Sequence, residues 1–252
     1  MKENRYDDDV FFDKYSRMSR SVQGLSGAGE WRELEKLLPD FRGKRVLDLG
    51  CGYGWHCIYA AEHGARLVEG TDISHKMLAV AAEKCRMEQV HFIQCAMEDL
   101  EYEPECFDVV FSSLAFHYVA DFGSLVEKIG RWLTPGGKFV FSVEHPVFTA
   151  EGSQEWIYDK DGKILYFPVD HYYYEGKRDA VFLGEHVVKY HRTMTTYVQT
   201  LLTRGFVLDA LVEPQPPEDM MDLPGMKDEM RRPMMLLLAA TKTSAGCGDC
   251  NP

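Results

Sequence analysis

The period of the apolar positions changes repeatedly along the chain, and those changes mark out its elements. In EWRELEKLLPDF, Trp31, Leu34, Leu37 and Leu38 recur at helical spacing and Pro39 closes the helix. KRVLDLG then reads as a short buried strand, and from there to about residue 145 strands and helices alternate. The strands are VLDLG, RLVEGTD, VHFIQC, FDVVFSS and KFVFSVE. Helices start near Trp55, near Ser74, whose hydroxyl suits an N-cap, and near Asp121. In the last of these, Phe122, Leu125, Val126, Ile129, Trp132 and Leu133 line one face. LTPGG ends it, Pro135 presetting φ and Gly136 supplying the positive φ of a type II turn. Strand–helix alternation of this kind implies right-handed crossovers and a parallel sheet.

Residues 146–192 break that rhythm. They hold Trp156, Tyr158, Tyr166, Phe167, Tyr172, Tyr173, Tyr174 and Phe182, with a DKDG turn at 159–162. The pattern predicts an antiparallel insertion serving as a lid. Its rings are expected mainly to pack in a hairpin core or against a second subunit, the other use being to stack a planar substrate. A helix in RTMTTYVQTLLTRG, a strand in FVLDALVE, a Pro- and Met-rich loop and a last strand in RPMMLLLAATK follow. Tyr6, Phe11, Phe12 and Tyr15 make the first twenty residues too aromatic for a loose tail, whereas SAGCGDCNP reads as frayed. One domain is expected, divided into an N-terminal helical segment (1–42), a core (43–145), the insertion (146–192), closing helix and strands (193–243) and a flexible tail (244–252).

Composition narrows the function classes. The chain has 252 residues, 45% hydrophobic and 27% charged, with a net charge of −12 and no block of lysine or arginine. A nucleic-acid binder needs a basic stripe to displace counterions from phosphates, so no nucleic-acid partner is expected. Nor is a membrane partner, because no apolar run reaches the ~18 residues of a span and MKENRYDDDV lacks a signal-peptide core. Seven scattered cysteines fit buried thiols in a reducing cytoplasm. Cys247 and Cys250 form a C-x-x-C pair without a second pair or nearby histidines, so no metal site is expected there.

The candidate chemistry begins at VLDLGCGYGW, where Gly50, Gly52 and Gly54 alternate between a hydrophobic strand and a helix. Missing β-carbons let a nucleotide-like ligand approach the backbone at the sheet's carboxyl edge. The spacing is G-x-G-x-G, and Trp55 follows where a dinucleotide fingerprint continues toward its third glycine, which disfavours a nicotinamide oxidoreductase. RLVEGTD ends the second strand on Asp72, where a carboxylate can accept both ribose hydroxyls. Asp48, inside the first strand, suits a scaffolding role toward the loop.

VLDLGCGYG, TDIS, AMEDL, FDVVFSSLAFHYV and LTPGGKFVFS, in this order, resemble the successive motifs of class I S-adenosylmethionine-dependent methyltransferases, in particular the small-molecule group called methyltransferase type 11. The resemblance covers roughly 45–145 and the closing strands. It implies an α/β fold with a Rossmann-like, doubly wound, seven-stranded sheet, mostly parallel with an antiparallel last strand. It implies S-adenosylmethionine as cofactor, S-adenosylhomocysteine as product, and in-line methyl transfer to a small-molecule acceptor by a monomer or homodimer. The backbone around Gly50, Cys51 and Gly52 would line the methionine and ribose, Asp72 would hold the ribose, and Ile73 would lie on the adenine face. Met97 would border the adenine edge, with Glu98 or a carbonyl serving the amino group because Ala96 stands where relatives have an acid. Ser113 and Leu114 would sit near the sulfonium, and Tyr15 and Arg20 would fold over the methionine end or simply pack. A catalytically silent cofactor-binding protein is the alternative.

Three histidines are candidate acid–base or acceptor groups: His145 at the end of the fifth strand, His117 after the fourth, and His191 in KYHRT. Each has an alternative as a locally satisfied packing residue. Arg192 either helps close the pocket or pairs with a surface carboxylate.

Overall fold

The computed structural model describes residues 4–244, so the Cys247/Cys250 pair and all but the first residue of the expected tail lie outside the described residues. An N-terminal segment carries α1 (Asp9–Ser16), α2 (Ser19–Val22) and α3 (Trp31–Leu37). The core follows as β1 (Arg45–Leu49), α4 (Trp55–Glu62), β2 (Leu67–Asp72), α5 (His75–Lys84), β3 (Val90–Gln94), β4 (Phe107–Ser113), α6 (Phe122–Trp132) and β5 (Leu133–Glu144). The insertion comprises α7 (Pro146–Thr149) and two antiparallel hairpins, β6 (Ile157–Tyr158) with β7 (Ile164–Tyr166) and β8 (Gly176–Phe182) with β9 (Glu185–His191). α8 (Met194–Thr203), β10 (Phe206–Val212), α9 (Met226–Glu229) and β11 (Met235–Lys242) complete the chain.

Seven strands form one sheet in the order β10-β11-β5-β4-β1-β2-β3. β1 to β5 pair in parallel, and β11 runs antiparallel between β5 and β10. The chain winds outward from β1 through β2 to β3, then restarts beside β1 with β4. Loops leaving β1 and β4 therefore diverge, and a crevice opens between them at the carboxyl rim.

Alternation along each strand sorts the core into two layers. Leu47, Leu49, Val110, Phe139 and Phe141 face α6 and α8, whose Phe122, Val126, Ile129, Trp132, Tyr197 and Leu201 are buried there. Val46, Val68 and Val109 face Cys57, Ala60, Ala61 and Leu78 of α4 and α5 on the other side, with Trp31 and Leu34 of α3 over Phe111 and Val140. The caps are those the sequence predicts: Ser74 accepts from the Met77 N–H, and Asp121 from the Ser124 N–H. Among the described residues no helix is long and apolar enough to cross a membrane.

The rings of the insertion divide between two environments. Tyr158, Tyr166, Tyr173 and Tyr174 are exposed, Tyr173 by 88%, so they pack neither in a hairpin core nor in a cavity. Other rings of the insertion are half-buried: Phe182 packs on Phe11, and Phe148, Trp156 and Phe167 surround the Arg232 guanidinium at 4.5–5.0 Å, which pins the β6–β7 hairpin to the loop before β11.

Candidate active site

At the carboxyl rim lies an elongated cavity of about 350 Å³. It runs from the end of β2, past the loops after β1 and β4, to the end of β5. The N-terminal segment covers it with Tyr6, Tyr15, Met18 and Arg20, and the β8–β9 hairpin contributes Val181, Phe182 and Lys189. A volume at the lower end of the ligand-pocket range, with a largely apolar wall and charged side chains gathered toward its ends, suits a small molecule.

Gly50 turns the chain out of β1 at φ +74°, and a β-carbon there would meet the Ala115 Cβ at 2.5 Å. Glycine is thus required by both the backbone and the neighbouring loop. Gly54 has a different job: it caps α4 in the left-handed region at φ +73° and does not line the cavity. The third glycine of the motif serves helix entry rather than ligand approach. Leu114, after β4, also holds a positive φ of 52°, and its N–H donates to the Ser142 carbonyl at 2.9 Å and hydroxyl at 3.1 Å. That double anchor keeps a branched residue in a disfavoured conformation at the cavity wall.

Asp72 ends β2 with both oxygens engaged. Oδ2 accepts from the Gly52 N–H at 3.0 Å and Oδ1 from the Ser74 N–H at 2.8 Å. Burial pushes its pKa up to about 6 despite those bonds, with nearby Asp7 adding to the rise. Asp7 itself accepts from the Ser74 hydroxyl at 2.6 Å and the Lys76 N–H at 3.2 Å, so the N-terminal segment is tied to the same turn.

The cavity brings together most of the residues singled out in the sequence: Tyr15, Arg20, Gly50, Gly52, Asp72, Ile73, Met97, Glu98, Ser113, Leu114 and His117 all line it. Cys51 does not; it lines a smaller adjoining pocket, and its thiol turns into the core 3.0 Å from where Gly70 would carry a β-carbon. Arg20 sits at the junction of the two pockets and bonds Glu30, itself almost wholly buried, at 3.0 Å to each carboxylate oxygen.

Two of the three histidines are placed elsewhere. His145 is outside the cavity: its Nδ1 accepts from the Val147 N–H at 3.0 Å to cap α7, and its Nε2 reaches Glu213 at 2.7 Å. Placed outside the cavity, with one nitrogen capping α7 and the other set against Glu213, the ring serves the fold and is not brought to the residues around Asp72. His191 is likewise outside, held by the Thr149 hydroxyl at 2.7 Å and the Tyr172 carbonyl at 2.9 Å. Arg192 fits neither of its readings, for it donates to the carbonyls of Phe116, Val119 and Ala120 and so bolts the end of the insertion to the turn after β4. His117 does face the cavity. Its Nδ1 accepts from the Glu144 N–H at 3.4 Å, and burial lowers its pKa to about 4, so it is neutral at physiological pH.

Sequence reasoning missed the cluster beside His117. Lys189, 2% exposed, donates to Glu144 at 2.6 Å and to the Gln154 side-chain carbonyl at 2.8 Å, while the Gln154 amide donates to the other Glu144 oxygen at 2.6 Å. Glu144, Gln154 and Lys189 all line the cavity. The available signal was register: Val187, Lys189 and His191 alternate inward along β9, which puts a lysine on an apolar face.

Comparison with known proteins agrees with this geometry. A family model described as a methyltransferase domain matches residues 47–141. The crystal structure of an S-adenosylmethionine-dependent methyltransferase from Mesorhizobium loti superposes with a TM-score of 0.80 at 40% identity, covering 87% of this chain and all of that one. A Listeria monocytogenes protein assigned as an S-adenosylmethionine-dependent methyltransferase is 55% identical with a TM-score of 0.84, covering 88% of this chain and all of its own. A Haemophilus influenzae protein of uncharacterised function is 36% identical over 245 residues, 94% of this chain and 96% of that one. The fold and cavity define a class I methyltransferase. The chain belongs to the S-adenosylmethionine-dependent methyltransferases and uses S-adenosylmethionine as its cofactor.

Proposed function

We propose that this enzyme transfers the methyl group to a small-molecule acceptor by direct in-line displacement inside the rim cavity. The observation that carries this reading is the cavity's polarity. Asp72 stands at one end, the Glu144–Lys189 pair at the other, and the Gly50–Gly52 backbone and Leu114 lie between them.

The residues at the Asp72 end fit an adenosyl group. A carboxylate at the tip of β2 suits the ribose hydroxyls, and its present N–H partners keep it oriented toward them. Ile73 and Met97 offer apolar surface for adenine, and Glu98 stands beside them for the amino group. Arg20, Tyr15 and the bare backbone of Gly50 and Gly52 serve the amino-acid portion, and Ser113 and Leu114 border the methyl group. Bound there, the cofactor supplies an electrophilic methyl on a positively charged sulfur. The chain's own work is to align the acceptor behind that carbon and keep water out. Positioning of this kind is worth ~7–11 kcal/mol of barrier, more than the roughly 3–5 kcal/mol of a general base.

A small acceptor fits the enclosure by the N-terminal segment and the β8–β9 hairpin. Calorimetry on ligand-stripped protein, followed by measurement of S-adenosylhomocysteine formation with a panel of small acceptors, tests the reading. The expected result is one cofactor site per chain, weakened in Asp72→Ala, and turnover with a subset of the panel. Undiminished cofactor affinity in Asp72→Ala would overturn the site, and turnover only with macromolecular acceptors would overturn the small-molecule assignment.

A further inference from the structure

We propose that Lys189, Glu144, Gln154 and His117 form the acceptor-recognition end of the cavity, built for an apolar molecule that presents an ionised oxygen, a carboxylate or phenolate. This rests on the cofactor lying at the Asp72 end, as proposed above.

The hydrogen-bond inventory of the cluster decides the sign of the ligand. Lys189 has three N–H donors, of which Glu144 and the Gln154 carbonyl take two. Both Glu144 oxygens already accept, one from Lys189 and one from the Gln154 amide. His117 accepts through Nδ1, which leaves its ring proton on Nε2, with no protein partner for it among the described residues. Lys189 and His117 both line the cavity, so the protein leaves two N–H donors open there, while the Glu144 carboxylate, though each oxygen keeps a spare lone pair, has its charge already met by the Lys189 ammonium. A cationic or amine ligand would meet an ammonium and an N–H; an oxygen anion would complete both. The surroundings fix the rest of the molecule. Met18, Val119, Phe148, Val181, Phe182 and Met234 line the same cavity, and the Phe182 ring lies 5.2 Å from the Lys189 ammonium.

The chemistry is self-consistent. A lone pair on the acceptor oxygen forms the new O–CH₃ bond, the C–S bond breaks with its electron pair staying on sulfur, and no proton moves. The cluster offers no group that would take one at neutral pH. His117 is pushed down to about 4 by burial. For Glu144, burial alone would raise the pKa, but the charges of His117, protonated in that acidic range, and of Lys189 outweigh it and hold the carboxyl below its ordinary range.

The test compares three probes of one shape, 2-naphthoate, 2-naphthamide and 2-naphthylmethylamine, titrated calorimetrically into protein saturated with S-adenosylhomocysteine. Naphthoate is expected to bind at least tenfold tighter than the amide, and the amine no tighter than the amide. In the double variant Glu144→Gln/Lys189→Met, chosen so that no buried charge is left unpaired, the preference for naphthoate should fall to within twofold while S-adenosylhomocysteine affinity is unchanged. Lys189→Arg, which keeps the charge, should restore most of it. Naphthoate that fails to bind, or binds no better than the amide, overturns the proposal, and this comparison on the parent protein needs no variant. Persistence of the preference in the double variant overturns it too. If the parent failed to bind S-adenosylhomocysteine at all, the cofactor reading would fall first and this one with it.

Discussion

Asp7 accepts a hydrogen bond from the Ser74 hydroxyl at 2.6 Å, and Ser74 accepts in turn from the Met77 N–H as the cap of α5. One carboxylate thus fastens the N-terminal cover to the turn that presents Asp72. Burial opposes its charge, but hydrogen bonds from Ser74, Asn4 and the Lys76 N–H prevail and lower its pKa to about 2. A depressed pKa stabilises the fold above the ordinary carboxylate range, a contribution lost as pH falls toward 2. Asp7→Ala should therefore cost about 1–2 kcal/mol at neutral pH. It should also speed the release of S-adenosylhomocysteine several-fold in stopped-flow displacement. Release at the parent rate would show that the cover does not gate the site.

Asp72 titrates within reach of ordinary buffers, since burial raises its pKa to about 6. Two ribose hydroxyls need an ionised carboxylate to accept both of their bonds. Cofactor affinity should be level above pH ~6 and fall below it, approaching tenfold per unit. Asp72→Asn should be weaker by roughly one to two orders of magnitude, the worth of bonds to a charged group, and flat from pH 5 to 8. Calorimetric titration across that range checks both, and a pH-dependent Asn variant would place the titrating group elsewhere.

His145 is the residue whose expected role changes most. Its ring caps α7 and meets Glu213, so its loss should be felt in folding. His145→Ala is expected to lower stability by about 1 kcal/mol, the usual worth of an N-cap. The kcat with any accepted substrate should stay within twofold of the parent. A hundredfold fall in kcat with an unchanged melting temperature would restore it as a catalytic group.

The Asp72 end of the cavity was legible in the sequence because its constraints are local. A glycine forced by a positive φ and a carboxylate at a strand tip follow from a few adjacent residues, as Gly50 and Asp72 show. The Glu144–Lys189 end was not legible, because the two residues lie 45 positions apart and meet only through the packing of the β8–β9 hairpin against the end of β5. His145 misled for the same reason. Its place at the end of a parallel strand suggested chemistry, but its partner Glu213 comes from the far side of β10 in the sequence and was not foreseeable from VEHP alone. The exposure of tyrosines 158, 166, 173 and 174 was not legible either, since aromatic content by itself does not say which way a short hairpin turns its rings.

Asp48 offers a check on the core beneath the glycine loop. It is buried on β1, takes one hydrogen bond from the Cys57 thiol at 3.3 Å, and leaves Oδ1 without a protein partner among the described residues. Burial drives its pKa up to about 7. The folded protein therefore holds a proton that the unfolded chain releases near pH 4. The stabilisation from that proton is complete below pH ~4, is lost progressively as pH rises through about 7, and is gone above it. Asp48→Asn has no charge to form, so the parent should lose stability relative to the variant by up to about 1.4 kcal/mol per pH unit between pH 5 and 7, with a level difference above pH ~8. Urea denaturation of both proteins at half-unit intervals measures that difference directly. If it stays constant from pH 5 to 8, Asp48 is ionised throughout, and the loop or water must supply the hydrogen bonds that its buried oxygen lacks.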